Sequence, residues 1–207
     1  MGYNMAIEQA RVSYIKSRKD CKVTYNNGSL PLITAPMSCV ANGDNYKIFN
    51  DLGISVCLPR TDKASVTTDM LWNSCSLLDF GINYCKFGRK LSHKTFVCID
   101  TANGNMKELH SSIKFAKSIH NDDLIVMSGN VASVGAFIEL AKTGCDYIRV
   151  GIGGSSVCST YLNTGVGYDK PLDDLILKCY EAKLVNKFST GIVADGISSY
   201  IDYLVTN

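Results

Sequence analysis

Tyr147-Ile148-Arg149-Val150-Gly151-Ile152-Gly153-Gly154-Ser155-Ser156-Val157-Cys158-Ser159-Thr160 passes from a short apolar run into glycines and hydroxyls, and then to a cysteine. A brief apolar run that ends in glycine reads as a buried strand feeding a loop. Gly151, Gly153 and Gly154 open backbone conformations closed to residues with a Cβ and allow close approach to a ligand. The loop N–H groups and the Ser155 and Ser156 hydroxyls suit a phosphate, and Cys158 sits where a nucleophile reaches whatever that phosphate anchors. Taken alone, such a cysteine is more often a buried core thiol, and a lone glycine-rich turn after a strand carries little weight.

Outward from this stretch, the same alternation repeats. Apolar runs at residues 32–35, 54–58, 96–99, 124–127, 147–150 and 191–194 each end in small or polar residues. Helical periods stand between them: Met106, Leu109, Ile113 and Ala116; Val134, Phe137, Ile138 and Ala141 behind Ser133 as N-cap; Leu172, Leu175, Ile176 and Cys179 behind Pro171. Residues 65–94 leave room for one more strand, expected at Leu77 to Tyr84. Strands alternating with helices predict parallel βα units, and nearly continuous apolar strands predict a sheet buried on both faces. The expected fold is therefore α/β, of the (β/α)8 TIM-barrel type, incomplete at about seven units. It forms a single domain over residues 1–207, in which 1–29 is a helix and hairpin cap turning at Asn26-Asn27-Gly28 and 30–207 carries the βα units.

Functional residue types gather where these strands end: Met37 after the first, Asp100-Thr101-Ala102-Asn103-Gly104, Gly129-Asn130-Val131, the Gly151 loop, and Asp195-Gly196. In barrels of this type catalytic groups collect at that end. Singly, each also has a plain reading: Asp195 or Asn130 as a helix cap, Met37 as core, Asn103-Gly104 as a turn.

Composition narrows the partner. With 21 basic and 19 acidic residues, net +2 and no basic cluster, the chain carries no electrostatic footprint for nucleic acid or anionic membrane, so a small molecule is expected. No run approaches the roughly 18 apolar residues of a membrane span, and the first residues lack the apolar region of a signal peptide, so the expected location is cytoplasmic. Nine cysteines without a C-x-x-C or a nearby histidine predict free thiols and no zinc site.

The Gly151–Thr160 loop, followed by Thr164-Gly165-Val166-Gly167-Tyr168, resembles the active-site loop of the IMP dehydrogenase and GMP reductase family, G-I-G-x-G-S-x-C-x-T and then T-G-V-G. Ser155 stands at a family glycine and Tyr161 at a usual arginine. The similarity extends over residues 30–207, through A/S-x-M, D-x-x-x-G, G-N-V and D-G-G, the last reading Asp195-Gly196-Ile197 here. Asp100 to Gly104 resembles the reductase's D-V-A-N-G more than the dehydrogenase's D-S-S-Q-G, and Gly167-Tyr168 matches the reductase.

The resemblance implies that Cys158 attacks C2 of a purine nucleoside 5′-monophosphate and that Thr160 relays a proton. It implies that Ser156, Gly196 and Ile197 lie on the phosphate side, that Asp195 takes the ribose, and that Met37 packs on the base. Asp100, Thr101, Ala102, Ile152 and Gly153 would meet NADPH, and the carbonyls of Gly153, Ser155 and Cys158 would hold potassium (K+). The implied activity is reductive deamination of GMP to IMP. The alternatives are an IMP dehydrogenase-like oxidoreductase and a nucleotide-binding remnant without turnover. The family also implies a homo-oligomer, a tetramer. An eighth strand and the glutamate that partners Thr160 would fall beyond Asn207, so a complementary C-terminal polypeptide is the other expected partner.

Overall fold

Short apolar runs bracketed by turn residues become strands because their side chains can be buried on both faces at once. The computed structural model describes residues 16–20, 24–25, 27–87, 90–152, 167 and 172–196. Among them are strands Val56–Leu58 (β1), Leu71–Cys75 (β2), Thr95–Ile99 (β3), Leu124–Val131 (β4), Tyr147–Val150 (β5) and Gly191–Ala194 (β6). They form one six-stranded sheet in sequence order, every neighbouring pair parallel. Because no neighbour is skipped, the sheet has no point of reversal and curls in one direction as a half-barrel, unlike a doubly wound sheet. Tyr46–Asp51 (α1) precedes β1, and the crossovers carry Leu77–Tyr84 (α2), Lys107–His120 (α3), Val134–Ala141 (α4) and Leu172–Asn186 (α5). No helix among the described residues is long and apolar enough to cross a membrane.

Alternation along the strands sends apolar side chains to both faces of the sheet. Val97, Ile99, Leu124, Val126, Ile148 and Val150 face the helices and pack on Leu109, Ile113, Phe137, Leu140 and Leu175. Cys57, Trp72, Cys98 and Met127 face the other way and pack with Ile33, Phe96, Ile125 and Val193 inside the curl. Trp72 meets Phe96 and Tyr147 edge-on, at 5.2 and 5.6 Å between ring centroids.

The helical stripes lie where the 3.6-residue period predicts. Ser133 caps α4 by accepting the Ala136 N–H at 3.2 Å, and Leu109, Ile113 and Ala116 are buried on α3. The turn at Gly28 is present, with the Gly28 N–H donating to the Tyr25 carbonyl at 2.9 Å. The first predicted strand is shorter than expected. Between Pro31 and Pro36, which donate nothing, Ile33 makes one parallel bridge to Ser55, extended by the Thr34 N–H to Ser55 and the Ser55 N–H to Leu32, each at 3.0 Å.

The strand expected at Leu77 to Tyr84 is a helix. Ser76 Oγ accepts the Asp79 N–H at 3.1 Å and donates to the Asp79 carboxylate at 2.7 Å, which starts α2 and lowers the Asp79 pKa. Leu77, Phe80 and Tyr84 then stand at helical spacing on the core. The strand lies just before, in Leu71–Cys75, whose polar residues hide it. Asn73 exchanges two 2.8 Å hydrogen bonds with the Ala64 backbone, and Ser74 Oγ donates to the Leu58 carbonyl at 2.6 Å. Polar side chains satisfied in this way can occupy an interior strand.

Candidate active site

Parallel strands in sequence order bring their C-terminal ends to one rim, so residues remote in sequence meet there. Asp100 follows β3, Asn130 lies near the end of β4, Arg149 is the third residue of β5, and Asp195 follows β6. Arg149 faces the inside of the curl with only 12% of its side chain exposed, and an arginine cannot shed its charge to suit such a place. Its fork is answered by two carboxylates. Nη1 donates to Asp100 Oδ1 at 3.1 Å and Nη2 to Asp195 Oδ2 at 2.9 Å. Burial opposes the charge on Arg149, but Asp195, the Cys98 sulfur and Asp100 outweigh it and hold the pKa above its ordinary value.

The two carboxylates are held from other sides as well. Arg60, in the loop after β1, reaches Asp100 Oδ2 at 3.3 Å and also donates to the Asp100 carbonyl. Asn130 Nδ2 donates to the Gly151 carbonyl at 2.8 Å and to Asp195 Oδ2. Two arginines and two aspartates leave this cluster formally neutral, so it offers no net attraction to a phosphate. Asp100 and Asp195 nonetheless keep 30% and 28% of their side chains exposed, enough for each to accept a further hydrogen bond from a ligand.

Gly151 is confined by this packing. Its φ is +124°, and a Cβ there would lie 2.5 Å from the Asp195 carbonyl oxygen. Gly151, where the chain leaves β5, is therefore pressed against the backbone that carries Asp195. Thr101 ties the loop after β3 to β4 by donating to the Gly129 carbonyl at 2.8 Å.

Beneath Arg149 lie the buried thiols of Cys57 and Cys98, with Arg149 Nη1 4.0 Å from Cys98 Sγ. The proximity of the two thiols, with help from Arg149, lowers the Cys98 pKa, while that proximity and burial raise that of Cys57. Met37 presents an exposed thioether at the end of the Ile33 bridge. Ala102 is exposed, and Thr101, Ile152 and Gly196 are partly so. Gly153, Ser155, Ser156, Cys158, Thr160 and Ile197 lie outside the described residues. Among the described residues no group of three or more His, Cys, Asp or Glu is placed to hold a metal ion.

Of the residues singled out in the sequence, the structure brings Asp100, Asp195 and Asn130 together. It adds two that sequence reasoning missed, Arg149 and Arg60. The available signal for Arg149 was its place as a charged residue in an otherwise apolar four-residue strand, directly before the glycine loop.

Known proteins resemble this chain in sequence and in fold. The sequence model of the IMP dehydrogenase / GMP reductase domain matches residues 91–205. A GMP reductase of Vibrio cholerae serotype O1 is 27% identical over 219 aligned residues, spanning 95% of this chain and 61% of the relative. A GMP reductase of Buchnera aphidicola subsp. Schizaphis graminum is 37% identical over 105 residues, 51% of this chain and 29% of the relative. The crystal structure of inosine 5′ monophosphate dehydrogenase from Legionella pneumophila has the same fold, with a TM-score of 0.64 at 24% identity, over 94% of this chain and 62% of that one.

Proposed function

Since the chain belongs to the IMP dehydrogenase/GMP reductase family, a family of oxidoreductases, we propose that it takes part in the NADPH-dependent reductive deamination of GMP to IMP. The observation that carries this reading is the rim cluster: two carboxylates from different strands, held apart by one arginine, beside the loop that leads to Cys158. The reductase is favoured over the dehydrogenase by Asp100-Thr101-Ala102-Asn103-Gly104 and Gly167-Tyr168 and by the names of the relatives. The chain spans 61% of the length of the Vibrio relative, so the activity of the whole enzyme comes to it only as a proposal.

In this reading Asp195 accepts the ribose hydroxyls, with Arg149 and Asn130 fixing the carboxylate so that its free lone pairs point to the rim. Met37 offers a polarizable surface to the base. The neutral rim gives no grip on phosphate, which falls to the loop with Ser156 and to the chain after Asp195 at Gly196 and Ile197. Cys158, as thiolate, adds to C2 of GMP; the exocyclic amine leaves as ammonia with a proton relayed by Thr160, leaving a thioimidate. When bound, NADPH supplies hydride to C2. IMP and the Cys158 thiolate are then released.

The donor chemistry at Asp100 suits a nicotinamide amide. The carboxylate is part-exposed and already neutralised by two arginines, so it can accept an amide N–H and offers no grip on a phosphate. Asp100, Thr101 and Ala102, with Ile152 and Gly153, would hold that ring. Potassium at the carbonyls of Gly153, Ser155 and Cys158 is part of the proposal, as are a cytoplasmic location and a homo-oligomer.

Limited alkylation followed by mass spectrometry tests the assignment. Cys158 is expected to react first and to be shielded by GMP, whereas exposed Cys39 should react without shielding. Absence of shielding removes Cys158 as nucleophile. Oxidation of NADPH with GMP, against reduction of NAD+ with IMP, separates the two branches, and turnover of the second pair alone overturns the reductase reading.

A further inference from the structure

Asp100 and Asp195 stand on strand ends with β4 and β5 between them, and on the reading above they serve different ligands. One planar group spans the gap, with Nη1 3.1 Å from Asp100 and Nη2 2.9 Å from Asp195. The guanidinium is rigid, so its two donors cannot move independently. Each carboxylate still has exposed oxygen surface for a ligand, and each is backed by a second donor, Arg60 on one side and Asn130 on the other. A ligand that draws one carboxylate toward itself tilts the fork and shifts the other.

We propose that Arg149 is a positioning residue that couples the two halves of the site, so that a purine nucleotide on Asp195 and a nicotinamide dinucleotide on Asp100 raise each other's affinity. The proposal rests on the function inferred above for the identity of the two ligands, but the link between the carboxylates is a property of the chain itself. A lysine in place of Arg149 keeps the charge and loses the span, because an ammonium is a single point donor.

Calorimetry on the 207-residue protein measures the Kd of GMP with and without saturating NADP+, an unreactive pairing. The wild type should bind GMP about 5- to 50-fold more tightly with NADP+ present. In Arg149→Lys each separate affinity should weaken while the ratio of the two Kd values falls to within about twofold of one. A merely structural role would lower both affinities and leave the ratio alone, and a ratio unchanged in the variant overturns the proposal. Arg149→Gln, which can serve one carboxylate but not both, replaces the lysine variant if that one does not fold.

If the wild type binds neither ligand, the functional reading falls, and amide NMR without ligand decides the link. Asp195→Asn should then shift the Asp100 amide signal, and Asp100→Asn that of Asp195, with both cross-shifts lost in the Arg149→Lys background. Cross-shifts that persist there, or that are absent from the wild type, overturn the coupling.

Discussion

Replacing Asp146 by alanine should destabilise the protein by about 2–4 kcal/mol without touching the rim. Asp146 precedes β5 at the end of the sheet opposite the candidate site. Its Oδ2 accepts the Val126 N–H at 2.8 Å, and both oxygens accept from Lys117 Nζ, at 3.0 and 2.9 Å. Lys117 also donates to the Leu124 carbonyl at 2.8 Å, so a single carboxylate ties α3, β4 and β5 together. Truncation leaves the amide of fully buried Val126 without an acceptor, at a cost of about 1–3 kcal/mol.

The truncation also strips Lys117 of its counter-charge. Breaking a buried pair costs about 3–5 kcal/mol and an exposed one about 0–1. With 15% and 24% of the two side chains exposed, this pair falls between those limits. At about 2–4 °C per kcal/mol for a chain of this size, the melting temperature should drop by roughly 5–15 °C. Asp146→Asn keeps an oxygen for Val126 and should lose about half as much. Thermal unfolding followed by circular dichroism, with urea midpoints as a second measure, reads the effect. A drop of less than about 2 °C for Asp146→Ala would refute the reasoning, since water would then be satisfying both orphaned groups.

At the rim, Asp195→Ala should weaken purine nucleotide binding by about one to two decades in Kd, the loss of roughly 1.5–3 kcal/mol of charge-assisted hydrogen bonding. Unchanged affinity by calorimetry would reduce Asp195 to a structural partner of Arg149. In alkali, burial pushes the Cys75 and Cys179 thiols up to about 12 from an ordinary 9.0. Both are raised in the folded state, so their contribution to stability is complete below about pH 9 and is lost as pH rises toward 12. Denaturation midpoints should therefore fall from about pH 9 upward, and a flat profile between pH 9 and 11 would contradict the burial of these thiols.

Local patterns carried most of the architecture. Val134, Phe137 and Ala141 behind Ser133 announce a helix because cap and period act within a few residues of each other. The strands near Val97, Val126 and Ile148 announce themselves as apolar runs because both their faces are buried. Where a strand depends on polar side chains finding distant partners, as Asn73 does with Ala64 and Ser74 with Leu58, local pattern fails. That is why the sequence points to a strand at Leu77 to Tyr84, where the structure has a helix, and the strand itself lies at Leu71–Cys75.

The candidate site divides in the same way. The glycine loop and the aspartates after the strands are legible because they sit at boundaries that the sequence itself marks. Arg149 is a different case. Its partners lie 49 and 46 residues away along the chain, and nothing near it in sequence states that an inward charge will be matched. Residues alone determined that β-strands and helices alternate and where each strand delivers its polar end. Only the parallel, sequence-ordered curl decided that Asp100, Asn130, Arg149 and Asp195 share one rim, because an ion pair across a barrel mouth is fixed by register between strands and not by spacing within one.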